Sequence, residues 1–385
     1  MPGRWGRDTL GGAVPETSTR VVVAMSGGVD SSVAAALLKR QGYDVVGLML
    51  RLWGEPDAPG SAYNRCCSPD AIAQARRVAE LLDIPFYVLD AQAPFKARVV
   101  DFFVEQYAAG VTPNPCLECN RHVRWDWLLK KALALEARYL ATGHYARVRP
   151  APQGPNAMPG LGTTYELLKG VDEHKDQSYV LSVMGQDQLR HALFPVGEYT
   201  KPGIRQMARD FGLPVADRAE SQDLCFLADN DYRRFLGEHA PESIRPGPIQ
   251  RRDGAVVGQH TGLPFYTVGQ RKGIGVAAPE ALYVIGTQPE TNTLVVGTAG
   301  ELGRDHLTAA RVNWVSGQAP NTPTRMEVKI RYKAAPALAT VTPLPGQRAA
   351  VTFDRRLRDI TPGQAAVFYV GEACLGGGII ERETP

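Results

Sequence analysis

Arg20-Val-Val-Val-Ala-Met-Ser-Gly-Gly-Val-Asp-Ser-Ser32 is the stretch that decides how the fold is read. Its opening run is short, apolar and β-branched, the pattern of a strand buried on both faces. Gly27 and Gly28 then let the backbone turn tightly and approach a ligand with no Cβ in the way. Ser31 to Arg40 is rich in Ala and Leu and closed by Gly42, which predicts a helix with a C-terminal stop. A strand, a glycine turn and a helix start make a phosphate site, because the free N–H groups of the helix carry partial positive charge. Ser26, Ser31 and Ser32 add hydroxyls. Asp30 sits oddly beside an anion unless Mg²⁺ bridges them, so a metal is expected. A Gly-rich βα turn with no ligand is the plainer reading of Gly-Gly alone; the full Ser-Gly-Gly-Val-Asp-Ser favours phosphate. With no Lys in the loop, a Walker-type kinase or GTPase is disfavoured.

Working outward, strands and helices alternate. Tyr43 to Leu50 and Pro85 to Asp90 read as strands, and Arg138 to Val148 as a fourth. Ser68-Pro69-Asp70 opens a helix with an N-cap and Pro at the first position, and Ile72, Ala75, Ala79 and Leu82 share one of its faces. Phe95 to Ala109 and Trp125 to Ala137 are further helices. This order predicts a doubly wound α/β domain with a parallel sheet. Ala151 to Gly162 reads as a loop, and helical stretches resume over Gly185 to Leu193 and Lys201 to Gly212. From about Asp217 short β-prone runs take over: Pro264 to Val268, Ala281 to Thr287 and Thr293 to Val296. Beyond Gly303, Arg325 to Tyr332, Arg348 to Phe353 and Gln364 to Val370 suggest a small antiparallel barrel or sandwich. The expected division is a flexible extension over 1–18, a nucleotide domain over 19–217, a central domain over 218–302 and a barrel over 303–385.

The 385 residues suit two or three domains. No apolar run approaches a membrane span, and Met1 to Ser18 lacks the apolar core of a secretory signal, so a cytoplasmic protein is expected. The formal net charge is only +3, but residues 303–385 hold 11 Lys and Arg against 7 Asp and Glu. That surplus suits phosphate contact by the C-terminal unit; a solvated basic face is the plainer alternative.

There are six cysteines, at 66, 67, 116, 119, 225 and 374, too few and too scattered for a disulfide framework in a chain this long. Cys119 lies in Thr112-Pro-Asn-Pro-Cys-Leu-Glu-Cys-Asn120 and Cys225 in Ser221-Gln-Asp-Leu-Cys-Phe226, each expected in a polar loop. Such a pair can meet across a cleft, one thiolate carrying sulfur as a persulfide while the other assists its release. Buried structural cysteines are the alternative.

The phosphate loop resembles that of the PP-loop ATP pyrophosphatases, which cleave ATP between its α and β phosphates and adenylate a carbonyl oxygen. Further motifs narrow this: Thr112-Pro-Asn-Pro115 with Cys119-Asn120, Ala141-Thr-Gly-His-Tyr-Ala146, Lys175-Asp-Gln-Ser-Tyr179, Leu193-Phe-Pro-Val-Gly-Glu198, Thr267-Val-Gly-Gln-Arg-Lys-Gly273, Lys329-Ile-Arg-Tyr332, Thr361-Pro-Gly-Gln364 and Cys374-Leu-Gly-Gly-Gly378. With these, residues 20–381 resemble the bacterial tRNA 2-thiouridylase family. The resemblance implies ATP and Mg²⁺ as cofactors, with an ATP site at Ala24, Met25, Ser26, Gly27, Gly28, Val29, Asp30, Ser31, Leu50 and Gly143. It implies Cys119 as nucleophile, Cys225 as persulfide carrier, and Asn114, Pro115 and Cys116 beside the target base. His144, Lys175, Asp176, Gln177, Arg331, Tyr332 and Gln364 would contact tRNA, and Lys175 would also help hold ATP. The implied partners are the wobble-uridine tRNAs for Lys, Glu and Gln and a cysteine desulfurase or sulfur relay. Many members carry Asp where this chain has Cys116. The three thiols Cys116, Cys119 and Cys225 thus offer a second reading, a [4Fe–4S] cluster with one open iron. A zinc site is a further option, though one without a clear fourth ligand. An ATP-dependent amide or amidine synthetase, or an RNA-binding protein with a relic nucleotide fold, are the rivals.

Overall fold

The computed structural model describes residues 19–55, 67–152, 164–218 and 224–382. The extension over 1–18, most of the Pro/Gly-rich loop, Cys66 and Ser221 to Asp223 lie outside the described residues.

The first seven strands are β1 (Arg20–Ala24), β2 (Asp44–Arg51), β3 (Phe86–Asp90), β4 (Tyr139–Ala141), β5 (Ala146–Pro150), β6 (Tyr165–Lys169) and β7 (Ala192–Leu193). Five of them form a wholly parallel sheet in the order β3-β2-β1-β4-β7. Both faces of β1 are covered, as its valines require: Val21 and Val23 enter one apolar cluster and Val22 another. Each such burial is worth about 1.5–3 kcal/mol. Helix α1 (Val29–Arg40) follows β1 and takes in the last loop residues. Helix α2 (Pro69–Leu81) begins as its sequence dictates, with Pro at its start and the Ser68 side chain accepting from Ala71 N at 3.2 Å.

Four expectations fail. The fourth strand is two: β4 stays in the parallel sheet, the chain leaves it at Thr142, and β5 pairs instead with β6 in another sheet. The helix expected from Trp125 starts at Pro115, so Cys116 and Cys119 lie on a helix over 115–134 and not in a loop. Asn114 stands at its cap position and Pro115 at its first turn, the arrangement a rigid φ favours. Pro264 to Val268 is no strand but a short 3₁₀ turn, Leu263–Phe265, followed by turns. Within Gly185 to Leu193 only Gln186–Leu189 is helical, and β7 is the edge strand after it.

A four-stranded middle sheet, ordered β10-β11-β8-β9, is built from β8 (Gly247–Arg251), β9 (Val256–His260), β10 (Tyr283–Gln288) and β11 (Thr293–Gly297). The C-terminal strands are β12 (Arg304–Trp314), β13 (Thr324–Lys329), β14 (Ala337–Leu344), β15 (Arg348–Leu357), β16 (Ala365–Val370) and β17 (Ala373–Ile380). They pair antiparallel as β12-β15-β14-β13-β16-β17, and β17 pairs back to β12, closing a barrel with no free edge. The β5–β6 hairpin docks on it, Leu168 opposite Ala373 and Leu167 opposite Cys374. No helix among the described residues is long and apolar enough to cross a membrane.

Candidate active site

Ligands of open parallel sheets bind beyond the carboxyl ends of the strands, where the strand order reverses. Here that point lies between β1 and β4, and the sequence puts Met25 to Asp30 after one and Thr142 to Tyr145 after the other. Gly27 has φ +70°, and a Cβ there would stand 2.4 Å from Ala71 O, so the loop and the start of α2 admit no side chain. Gly28 occupies the α1 cap position with extended backbone, and no side chain caps the helix. The N–H groups at its start are therefore left for a ligand. Ser31 Oγ accepts from Ser26 N at 3.2 Å, while Ser32 Oγ donates to Gly28 O at 2.8 Å, bracing the turn. A Cβ on Gly143 would lie 2.7 Å from Ser31 N, so that glycine seats the second loop on the helix start. Leu50 is half-buried near the end of β2.

Asp30 has partners that the sequence could not show. Lys201 Nζ reaches both its carboxylate oxygens, at 2.7 and 2.8 Å, and Tyr145 Oη donates to it at 2.7 Å. Lys201 lies at the head of the Lys201–Asp210 helix packed on α1, its side chain only 10% exposed. Read from sequence, Asp30 lacked any cation except a metal; the structure provides Lys201 as well. Arg218 joins the site by donating to Gly27 O at 3.2 Å. The uncapped helix start, the glycine cradle and Lys201 fit a nucleotide triphosphate, and Asp30 is the carboxylate that a phosphate-bound Mg²⁺ would meet.

Beside this cradle the expected RNA-contact residues divide. The His144 ring is buried, its Nδ1 lies 2.7 Å from Thr142 Oγ1, and burial with Arg124 nearby pushes its pKa down to about 3. Asp176 is buried and accepts from Gly170 N, Ser178 N and Ser178 Oγ. Gln177 exchanges bonds with the Tyr145 backbone in both directions, accepting from Tyr145 N at 2.9 Å and donating its own N–H to Tyr145 O at 2.8 Å. Lys175 is half-buried and its N–H bonds Asp172 O. In this conformation His144 and Gln177 build the loop after β4, and Asp176 holds the turn after β6. Tyr332 is 37% exposed, with Lys329 over its ring, and is the residue of the set most open to a stacking base. Arg331 bonds Val268 O and Thr361 Oγ1, linking barrel to middle sheet.

Gln364 acts on a different part of the site. Its Nε2 donates to Thr112 O and Pro113 O, each at 3.1 Å. A Cβ on Gly363 (φ +90°) would lie 2.3 Å from Val111 Cγ1, and Thr287 of the middle sheet donates to Gly110 O. Residues 109–113 are thus gripped by barrel and middle sheet just before the cysteine helix starts.

On that helix Cys116 is exposed and Cys119 buried, one helical step apart on adjoining positions. Cys119, Phe226 and Leu227 belong to one apolar cluster, with Cys225 packed against it; Met25 and Val29 of the loop belong to the same cluster. The two cysteines and the phosphate loop therefore border one core. Among the described residues no three metal-ligand atoms that include a cysteine sulfur come within 4.8 Å of one another. Zinc thiolates, with Zn–S near 2.3 Å, require sulfurs about that close, so this conformation does not fit a zinc site.

An open parallel sheet with a glycine-led, uncapped helix at its switch point defines an α/β nucleotide-binding protein. A family model described as a tRNA methyl transferase HUP domain matches residues 19–229, a PRC-barrel domain of the same name 233–298, and an aminomethyltransferase β-barrel domain 304–380. The tRNA-specific 2-thiouridylase MnmA of Roseiflexus castenholzii is 47% identical over 370 residues, covering 94% of this chain and all of its own. That of Symbiobacterium thermophilum is 46% identical over 389 residues, covering 99% and 97%. The chain belongs to the tRNA-specific 2-thiouridylase (MnmA) family. Among solved structures, the U34-tRNA thiolase NcsA from Methanococcus maripaludis with its [4Fe–4S] cluster is similar over 61% of this chain and 71% of its own, at 18% identity and a TM-score of 0.36.

Proposed function

We propose that this protein is a cytoplasmic tRNA 2-thiouridylase that replaces the C2 oxygen of a wobble uridine with sulfur at the expense of ATP. The observation that carries the reading is similarity along nearly the whole chain to proteins named for that reaction. The uncapped α1 start, Ser26, Gly27, Gly28 and Gly143 hold the ATP phosphates, with Lys201 opposite Asp30 supplying positive charge where pyrophosphate leaves. Mg²⁺, bound to the triphosphate, offsets its charge.

The uridine C2 oxygen attacks the α phosphorus, the bond to pyrophosphate breaks, and the base is left bearing AMP. The terminal sulfur of a Cys225 persulfide then attacks C2, Cys119 thiolate takes the inner sulfur, and the C2–O bond to AMP breaks. The products are 2-thiouridine, AMP, pyrophosphate and a Cys119–Cys225 disulfide, which an external thiol reduces. Asn114 to Cys116 border the base, and Tyr332 with the basic barrel engages the RNA. Lys175, Gln364 and Arg331 complete the docking surface, with His144, Asp176 and Gln177 shaping the loops behind it. The tRNAs are those for Lys, Glu and Gln, and a cysteine desulfurase or relay supplies the sulfur. Residues 19–217, 218–302 and 303–385 act as activation, bridging and RNA-binding units.

Because Cys116 stands exposed beside Cys119, sulfide on a [4Fe–4S] cluster held by Cys116, Cys119 and Cys225 is the second reading. The test is anaerobic purification with iron and acid-labile sulfide assays, then thiolation with ATP, tRNA and a persulfide donor. Iron-free protein that thiolates tRNA supports the persulfide route; stoichiometric iron, with activity lost on chelation, supports the cluster. Normal thiolation by Cys119→Ser would sink both.

A further inference from the structure

Ahead of β10, Thr267-Val-Gly-Gln-Arg-Lys-Gly273 folds into two successive turns, each with a glycine in third place. Gly269 has φ +92° and Gly273 φ +77°, a conformation that glycine holds without strain. Everything but the tip of this loop is tied down. Gln270 N donates to Thr267 O at 3.0 Å, and the Gln270 side chain accepts from Thr267 N at 3.2 Å and donates to Lys272 O at 2.9 Å. Gly269 N donates to Val284 O at 2.8 Å and Val284 N to Gln270 O at 2.9 Å, fastening the loop to β10. Arg331 of the barrel unit donates to Val268 O at 2.9 Å, and a Cβ on Gly269 would stand 2.6 Å from Asp359 Oδ1. The Thr267 and Thr112 hydroxyl oxygens lie 3.2 Å apart, so the loop also touches the segment that leads into the cysteine helix. Past the tip, buried Ile274 enters the apolar cluster of the middle sheet.

Arg271 and Lys272 stand at that tip. Both are exposed, and neither side chain has a hydrogen-bond or ion-pair partner among the described residues. The main-chain N–H groups of Arg271, Lys272 and Gly273 have none there either. Arg325 and Arg348 of the barrel, by contrast, are tied to Asp354 and Glu381. Adjacent cations and neighbouring N–H donors on one turn suit a ligand with repeated negative charge. Because the backbone beneath them is already fixed, binding need not order it.

We infer that the tip of this loop binds the RNA sugar-phosphate backbone, with Arg271 and Lys272 on neighbouring phosphates. The inference rests on the reading that the substrate is a tRNA, and it adds the middle sheet to the docking surface of Arg331 and Tyr332. Phosphate contacts set register and orientation without reading sequence. Joined to Thr112, the loop fixes where the RNA lies relative to the cysteine helix.

The test is tRNA affinity of the full chain across a range of salt, by filter binding, for wild type, Arg271→Gln, Lys272→Gln and the double variant. The double variant should bind at least tenfold more weakly at about 0.1 M salt. Its plot of log affinity against log salt should be shallower by roughly 1.4–1.8, each phosphate contact adding about 0.7–0.9 to the slope. Each single variant should show about half of that change, a gradation that unfolding would not produce. The KM for tRNA should rise with kcat held, while Tm and ATP binding stay unchanged, because neither side chain has a partner to lose. Wild-type protein that binds no tRNA overturns this inference together with the reading beneath it. Binding by wild type, with affinity and salt slope unchanged in the double variant, overturns the role of the loop alone. Thiolation lost with tRNA binding intact also overturns it, and gives the two cations to an acidic protein partner.

Discussion

Replacing Lys201 by Met removes the ammonium while keeping most of its apolar stem. Its Nζ lies 2.7 and 2.8 Å from the two oxygens of Asp30, with the Lys side chain 10% and the Asp side chain 30% exposed. An exposed pair contributes up to about 1 kcal/mol, whereas breaking a buried one costs roughly 3–5 kcal/mol. With one partner covered and the other partly wet, Lys201→Met should cost about 1–3 kcal/mol. For a unit of this size that lowers Tm by roughly 2–4 °C per kcal/mol. Most of the cost is an orphaned carboxylate, so adding Asp30→Asn should restore most of the lost Tm. It should not restore chemistry: both Lys201→Met and the double variant should release pyrophosphate at least 100-fold more slowly, since neither has the Lys201 ammonium beside the α1 start. The measurements are thermal unfolding and a coupled pyrophosphate assay. A Lys201→Met protein with unchanged Tm, or a double variant less stable than the single one, would refute the pairing. Normal pyrophosphate release would refute the role given to the lysine.

Gly143→Ala puts a methyl group 2.7 Å from Ser31 N; it should cost about 1–3 kcal/mol and weaken ATP binding at least tenfold by calorimetry. Gln364→Ala leaves Thr112 O and Pro113 O without their donor, and thiolation should fall while ATP binding by the same calorimetry stays unchanged. Exposed Cys116 should react with iodoacetamide well before Cys374, whose thiol is buried and pushed up to about 12; peptide mass mapping gives the order. His144 titrates near 6.5 in an unfolded chain but near 3 when folded, because burial disfavours its charge. The unfolded state therefore binds the extra proton, and stability should fall with pH from about 6.5 downward, by up to about 1.4 kcal/mol per unit. Urea midpoints across that window should show the slope, and His144→Gln should flatten it.

The nucleotide half of the fold was legible because it rests on local signals. The valine run, the two glycines and the Ser68-Pro69 cap each act within a few residues, and the structure has them as read. The cysteine helix was misread because polar residues around Cys119 look like a loop, while Pro115 at its first turn and the buried Leu117, Trp125 and Leu128 make it a helix. The split of the fourth strand was invisible because β5 takes its partner from β6, beyond a long loop. Lys201 gave no signal: it stands in Tyr199-Thr-Lys-Pro202, far along the chain from Asp30, and only packing of its helix on α1 joins them. Asp176 and Gln177 show the converse. Their motif was readable, but the buried bonds each makes were not.

The docking of β6 on β17 has a consequence for synthesis. Leu167 and Leu168 lean on Cys374 and Ala373, residues made much later in translation. At roughly 5–20 residues per second, the ~200 residues in between take about 10–40 s to emerge. For that interval the parallel sheet is made while its hairpin presents an unsatisfied edge, a template for pairing with neighbouring chains. The growing chain is thus most exposed to aggregation during that interval, and arrival of β17 ends that exposure in a single step.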